Sequence, residues 1–492
     1  MLKIKIIVFI ILLPSILYCQ NINFKIDIDT SKYIKGESNF RGRLFVLMNS
    51  DTTQLALYWP NIENPQPAFA IDIKDLKPGT PAIINHKASK WMHAIDDTEG
   101  YYSVSILLDR DTILNNILAP GNLVSDKQII KIEKGKEQTF EFTIKYQIYP
   151  YLFNETEFIK EIQVESKQLS DFYRYPIKIS GAIILPETYY EDTTKTYPVV
   201  YVFPGWGGSR FDIVMGDYNQ KRYGMKGFGE EKIFVFMDQQ CRYGYHVFAN
   251  SENNGPRGDS FVQEFIPIIE KKYRTDGNRF LMGQSSGGWA ALWLQINYPN
   301  TFMGAWAASP DPIDFRNFEN IGNIYEKTTN VFNQIDGTPK ASSRKNGKPG
   351  ISIRDRVLME TLYGEGQQIG SYESVFSPKG KDGKPMRVFN RETGNVDTKV
   401  SKHWKEYDLR YIIGNASEDL LRSLSNKIHI YVANDDDYFL DLGVKGFKEV
   451  TDSLNFNIDI QFYNEMGHNV WDDSLRHKIH SQIDNICKNH KK

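Results

Sequence analysis

Three cysteines in 492 residues leave little material for a disulfide framework, and one of them, Cys19, closes an N-terminal apolar stretch. Without it only Cys241 and Cys487 remain, enough for one bridge at most, so the chain must rely on its apolar cores. An excess of either charge is lacking too: 59 Lys and Arg stand against 61 Asp and Glu, with no clustered basic stripe. That argues against a nucleic-acid partner, whose phosphates call for a concentrated positive face. Beyond the N-terminus no apolar run approaches the ~20 residues of a membrane span.

What is present begins with Lys3 and Lys5, then an apolar run over 6–17, then the polar pair Gln20 and Asn21. This is the pattern of a secretory signal peptide over 1–19, cleaved before Gln20, which implies a secreted or periplasmic protein with no integral membrane span after cleavage. The alternative is a lipid anchor on Cys19, but the bulky Tyr18 before it fits a bacterial lipobox poorly.

A chain of this length divides into two or three domains. Residues 20–145 carry short β-rich runs, such as 43–48, 68–73 and 102–108, separated by turn clusters. That rhythm predicts a β-sandwich-like accessory domain. Residues 146–175 read as a linker or bridging segment. From 176 to 492 strands alternate with helices, the pattern of a mostly parallel sheet covered on both faces. Its core strands are expected at 197–203, 232–238, 278–282, 302–308, 427–433 and 459–463. Residues 311–425 are polar and rich in Gly, Lys and Asn, and read as an insertion into this α/β domain, with a lid-like middle at "TPKASSRKNGKPG", 338–350.

The chemistry centres on "LMGQSSGGWA" at 281–290, where an apolar strand turns abruptly into a helix. Gly283, Gly287 and Gly288 remove side chains that would clash in the bend, and the bend lifts Ser285 out of the sheet. A serine nucleophile needs a base, and the base needs a carboxylate, in the chain order Ser, acid, His. His468 follows the last expected strand in "EMGHNVW", whereas His477, His480 and His490 fall on a polar C-terminal helix and read as solvated. The acid should leave the preceding strand, which runs into Asp435, Asp436 and Asp437. Asp436 is the choice because it lies in the first turn beyond the strand; Asp435 is the runner-up. An oxyanion hole needs two backbone N–H groups. Ser286 offers one, and Trp206 in the loop "FPGWGG" the other; no Gly-Lys-Ser/Thr follows that would make the loop a phosphate site. The Trp206 indole either lines the pocket or packs in the core. His246, Asn254 and Arg257, between a strand and a helix on the ligand side of such a sheet, are candidates for substrate contact or for loop structure.

The stretches "YPVVYVFPGWGG", "NSENNGPRGDSFVQEFIPIIEKKYRT", "GQSSGGWAA", "VANDDDYFLD" and "EMGHNVW" resemble, in order and spacing, the putative-esterase family of α/β-hydrolases. That family includes feruloyl esterases, S-formylglutathione hydrolases, enterochelin esterase and the mycolyltransferases. The resemblance implies an α/β-hydrolase fold with Ser285, Asp436 and His468 as triad and the Trp206 and Ser286 amides as oxyanion donors. Here Ser286 stands where many relatives carry Met, and the insertion before Asp436 is longer than in compact members. The expected function is an exported serine carboxylic-ester hydrolase working through an acyl-enzyme on feruloyl or acetyl esters of polysaccharide, or on a small-molecule ester. It calls for no metal or organic cofactor. A siderophore-lactone esterase, an acyltransferase and an inactive glycan-binding protein are the alternatives.

Overall fold

A computed structural model describes residues 21–490 except 35, 58–63, 112, 113, 115 and 365. The signal-peptide and Cys19 readings lie outside the described residues. Among those described, no helix is long and apolar enough to cross a membrane.

The chain forms two compact units, one built from the strands up to Ile148 and the other from Tyr149 onward. In the first, nine strands join in one hydrogen-bonded sheet, with Asn21–Ile28 lying parallel to Glu137–Gln147 near one edge. Asn21–Ile28 alternates strictly between half-buried and buried positions, and its Ile22, Phe24 and Ile26 meet Leu44, Val46, Val104 and Phe142 in a single core. Period-two burial of this kind is what a sheet with one covered face requires.

The second unit holds an eight-stranded sheet: β1 Ile159–Ser166, β2 Ile177–Ile184, β3 Tyr197–Phe203, β4 Ile233–Met237, β5 Thr275–Gln284, β6 Gly304–Ala308, β7 Ile428–Ala433 and β8 Asp459–Tyr463. Their order is β1-β2-β4-β3-β5-β6-β7-β8. Pairs from β4 to β8 are parallel, and β1 and β2 pair antiparallel with their neighbours. This is the connectivity of an α/β-hydrolase sheet. Strand β3, YPVVYVF, is buried at every position because helices cover both faces, so β-branched and aromatic residues can run on without alternation.

One face packs against α1, Ser286–Asn297, and the insertion helices α2, Ile353–Tyr363, and α3, Gln368–Phe376. The chain then adds α4, Leu440–Ser453, and α5, Asp473–His490; Leu475, Ile479 and Ile483 of α5 cover the opposite face. Helix α1 is buried from Ser286 to Ile296. It lies between the sheet and the insertion, with the Trp289 ring 5.1 Å from that of Phe376, which is why its apolar residues surround it instead of forming one stripe.

The structure departs from the sequence reading in three places. Residues 146–175 are not merely a bridge, because β1 lies within them as an edge strand of the eight-stranded sheet. Its polar outer residues Glu161, Gln163 and Glu165 dilute the apolar signal of Ile162 and Val164. The insertion is not a loose polar excursion: Val357, Tyr372, Val375, Phe376 and Trp404 join the same core as α1. His480, read as solvated, is buried, with Nε2 at 3.0 Å from the Tyr223 carbonyl, and burial pushes its pKa down to about 4.

Candidate active site

The strand-to-helix turn puts Ser285 in a backbone conformation that L-residues seldom adopt, φ 55° and ψ −125°. Three hydrogen bonds hold it there: Ser285 N–H donates to the Ala308 carbonyl at 3.0 Å, and the Ser285 carbonyl accepts from Trp289 and Asp311 N–H at 3.0 and 3.1 Å. The glycines serve close approach. A Cβ on Gly287 would collide with the carbonyls of Phe203 and Pro204, and one on Gly283 with Gly287 itself. Strand β3, the turn and α1 can therefore nest without side chains between them.

Past the end of β7 the three aspartates take three different partners. Asp436 is fully buried, and its Oδ2 lies 3.0 Å from His468 Nδ1, while its Oδ1 accepts from Tyr438 N–H at 2.8 Å. Asp437 Oδ2 accepts from the backbone N–H of His468 at 2.9 Å. Gly467 is required beside it, since a Cβ there would run into that carboxylate. Asp435, more than half exposed, pairs with Arg344 at 2.7 Å. Burial opposes the charge on both members of the His468–Asp436 pair. Their mutual attraction and hydrogen bond outweigh it, holding the Asp436 carboxyl below its ordinary value and His468 above 6.5.

Two further side chains brace this arrangement. Gln284, just before Ser285, donates from Nε2 to the His468 carbonyl at 3.1 Å and accepts from Trp471 Nε1 at 3.0 Å. The loop bearing His468 is thereby tied to the end of β5. Arg344, in the middle of the insertion, donates from Nε to the Asp436 carbonyl at 2.9 Å and from Nη2 to Asp441 at 2.6 Å, and its N–H meets the Asp437 carbonyl at 2.7 Å. The segment 338–350 is thus a clamp on the acid loop, not a free lid. Only the folded chain brings these partners together; in sequence an arginine in a polar loop looks solvated.

Ser285, His468, Trp206, Gly205, Tyr438 and Arg222 share one pocket of about 210 Å³. Gly205 lies against Ser285, its position for a Cβ standing 3.3 Å from Ser285 Cβ, which brings the loop bearing the Trp206 amide alongside. Ser286 is the first residue of α1, where helix geometry provides no intrahelical acceptor for its N–H. Trp206 lines this pocket, and its ring lies 6.2 Å from that of Tyr245.

One residue of the pocket has no place in the sequence reading. Asp311, 2% exposed, accepts from Ser285 Oγ at 3.1 Å and from Ser286 Oγ at 2.5 Å. Burial raises its carboxyl to about 6, with the Glu319 charge adding to the rise and the serine hydroxyls and His468 opposing it. Its sequence signal is its place, three residues beyond β6, on the same sheet edge as Ser285.

The three suggested substrate contacts fall elsewhere. His246 and Arg257 line a second cavity of about 430 Å³ together with Arg210 and Asp238. His246 is buried and held well below 6.5, and its Nδ1 accepts from Phe248 N–H at 3.1 Å, so its proton sits on Nε2. Asn254 is fully buried and donates to Ser374 Oγ of α3 at 3.1 Å, a contact that joins the insertion to the loop that follows β4.

The family model described as "Putative esterase" matches residues 174–470. Esterase MT1326 and Esterase Rv1288 of Mycobacterium tuberculosis, from strains CDC 1551 and H37Rv, are each 30% identical over 145 residues, 27% of this chain and 30% of theirs. The chain thus spans under a third of the length of these curated relatives. Among solved structures, an S-formylglutathione hydrolase from Agrobacterium tumefaciens is 14% identical with a TM-score of 0.38, over 68% of this chain and 96% of that one. A ferulic acid esterase of Anaeromyces mucronatus is 13% identical with a TM-score of 0.33, over 68% and 93%. With the family match running from just before β2 to the loop that carries His468, this chain belongs to the "Putative esterase" family.

Proposed function

We propose that the protein is an exported carboxylic-ester hydrolase in which Ser285, His468 and Asp436 act as nucleophile, base and orienting acid. The observation that carries this is the buried Asp436 carboxylate 3.0 Å from His468 Nδ1, with both His468 and the strained Ser285 opening on one pocket. His468 Nε2 takes the Ser285 proton as Oγ bonds to the ester carbonyl carbon, and the Trp206 and Ser286 amides receive the oxyanion. The carbon–oxygen bond to the alcohol then breaks, and the imidazolium returns its proton to that oxygen. Water, deprotonated by the same imidazole, releases the acid and frees Ser285. A pocket of about 210 Å³ walled by Trp206 and Tyr438 suits a small or flat acyl group, and the N-terminal signal pattern points to esters outside the cytoplasm. Feruloyl or acetyl groups on polysaccharide fit both. The test is hydrolysis by the purified chain of p-nitrophenyl acetate and of acetylated and feruloylated oligosaccharides with product analysis. No turnover on any of them would refute the reading.

The acid limb of the pH profile follows from the site. His468 must be neutral to take a proton, and Asp436 holds its pKa above 6.5. So kcat/KM is full above that raised value and falls as pH drops through it. A profile with no acid limb would contradict the assignment of His468 as base.

Arg344→Ala should lower kcat on p-nitrophenyl acetate by about ten- to a hundredfold, because the loop bearing Asp436 loses its brace and small misplacements at a reacting centre are costly. Arg344→Lys should recover little, since one ammonium cannot span the Asp436 carbonyl, Asp435 and Asp441 together. A free surface loop would instead leave turnover unchanged, as initial-rate assays on both variants would reveal.

A further inference from the structure

In this state the Ser285 hydroxyl is committed to Asp311. It has one proton, and Oγ donates it to Oδ1 at 3.1 Å, so attack on an ester requires that bond to break while His468 takes the proton. A buried carboxylate is then left with one donor, Ser286 Oγ at 2.5 Å, just as negative charge gathers on the nearby oxyanion. Arg222 lines the same pocket but reaches Asn469 at 3.4 Å and makes no ion pair with Asp311 among the described residues, and the imidazolium forming on His468 is shared with Asp436 and the oxyanion. Glu319 lines the same pocket and is already engaged by Arg356 at 3.0 Å and by the Tyr372 hydroxyl at 3.2 Å. Losing a hydrogen bond to a buried charged group is worth about tenfold or more in an equilibrium, and here the loss falls in the transition state, where it acts on rate.

We infer that Asp311 is a specificity-determining acceptor: it takes a hydroxyl of the substrate, on the carbon next to the esterified oxygen, in exchange for the hydroxyl of Ser285. The ligand class is a partial ester of a vicinal diol, the arrangement that a sugar ring presents beside an acylated position. Asp311 and His468 are neighbours on the same pocket, so an alcohol whose ester oxygen is to receive the His468 proton brings its adjacent hydroxyl within a hydrogen bond's length of the Asp311 carboxylate. An ester without that hydroxyl leaves Asp311 short of a donor and is turned over more slowly.

The inference rests on the ester-hydrolase reading, and the test separates the two. Hydrolysis of 2-hydroxyethyl acetate and 2-methoxyethyl acetate by the full chain is followed by pH-stat at neutral pH. The two probes differ in one donor. The expected result is a kcat/KM at least about tenfold higher for the hydroxyl compound, carried mainly by kcat. In Asp311→Asn and Asp311→Ala the ratio should fall toward one, whereas a merely structural role would depress both esters alike and preserve it. Equal rates by the unaltered protein overturn the inference, with water then supplying the missing donor, and leave the esterase reading standing. No hydrolysis of either ester, or of p-nitrophenyl acetate, overturns both.

Discussion

Ser285→Ala should lower kcat on p-nitrophenyl acetate by about four powers of ten or more while the protein stays folded. The substitution removes one oxygen and nothing that packs. The elbow's backbone bonds, from Ser285 N–H to Ala308 and from Trp289 and Asp311 to the Ser285 carbonyl, are unaffected. Asp311 loses one donor but keeps Ser286 Oγ, so its burial remains supported. In the proposed mechanism what is lost is the atom that forms the acyl-enzyme, and the residual rate should come from the proposed oxyanion amides and binding alone. The measurement is initial rate together with thermal unfolding. Near-normal turnover in a folded variant would place the nucleophile elsewhere.

Asp436→Asn should follow closely, with a loss of about 10³ to 10⁴ in kcat. The amide keeps the size of the carboxylate but holds the wrong imidazole tautomer and removes the charge that raises the His468 pKa. The small remaining activity should therefore have its acid limb at lower pH than the parent's, a second readout independent of the rate. The neighbouring aspartates set the controls. Asp437→Asn replaces the acceptor of the His468 N–H and should cost about tenfold at most. Asp435→Asn touches an exposed pair with Arg344 and should cost least. Similar small losses in all three would show that the orienting acid lies outside this loop.

The legible parts of the molecule were those whose signals are local. Strands β3 and β8 match the apolar runs at 197–203 and 459–463 residue for residue, and the glycines around Ser285 announce a tight turn because only close backbone approach requires them. The acid loop was readable to the level of three adjacent aspartates, since strand ends project ligands; choosing among them depends on which one the fold buries. The illegible parts were those made by distant partners. Strand β1 hides because an edge strand with polar outer residues has a weak pattern. The insertion's polar composition conceals Tyr372, Phe376 and Trp404, spaced among polar residues yet converging on α1. Asp311 and Arg344 carry no motif at all. Their roles arise from a contact 26 residues away in the first case and 92 in the second.

The backbone of Ser285 has a consequence for how this protein could be improved. A conformation at φ 55° and ψ −125° is open to glycine and costs any other residue roughly 1–3 kcal/mol. Ser285→Gly would release that strain, offset in part by the lost hydroxyl bond to Asp311. A screen that rewards heat resistance alone would therefore drift toward erasing the nucleophile, and stabilised descendants of this chain must be chosen under continuous selection for turnover.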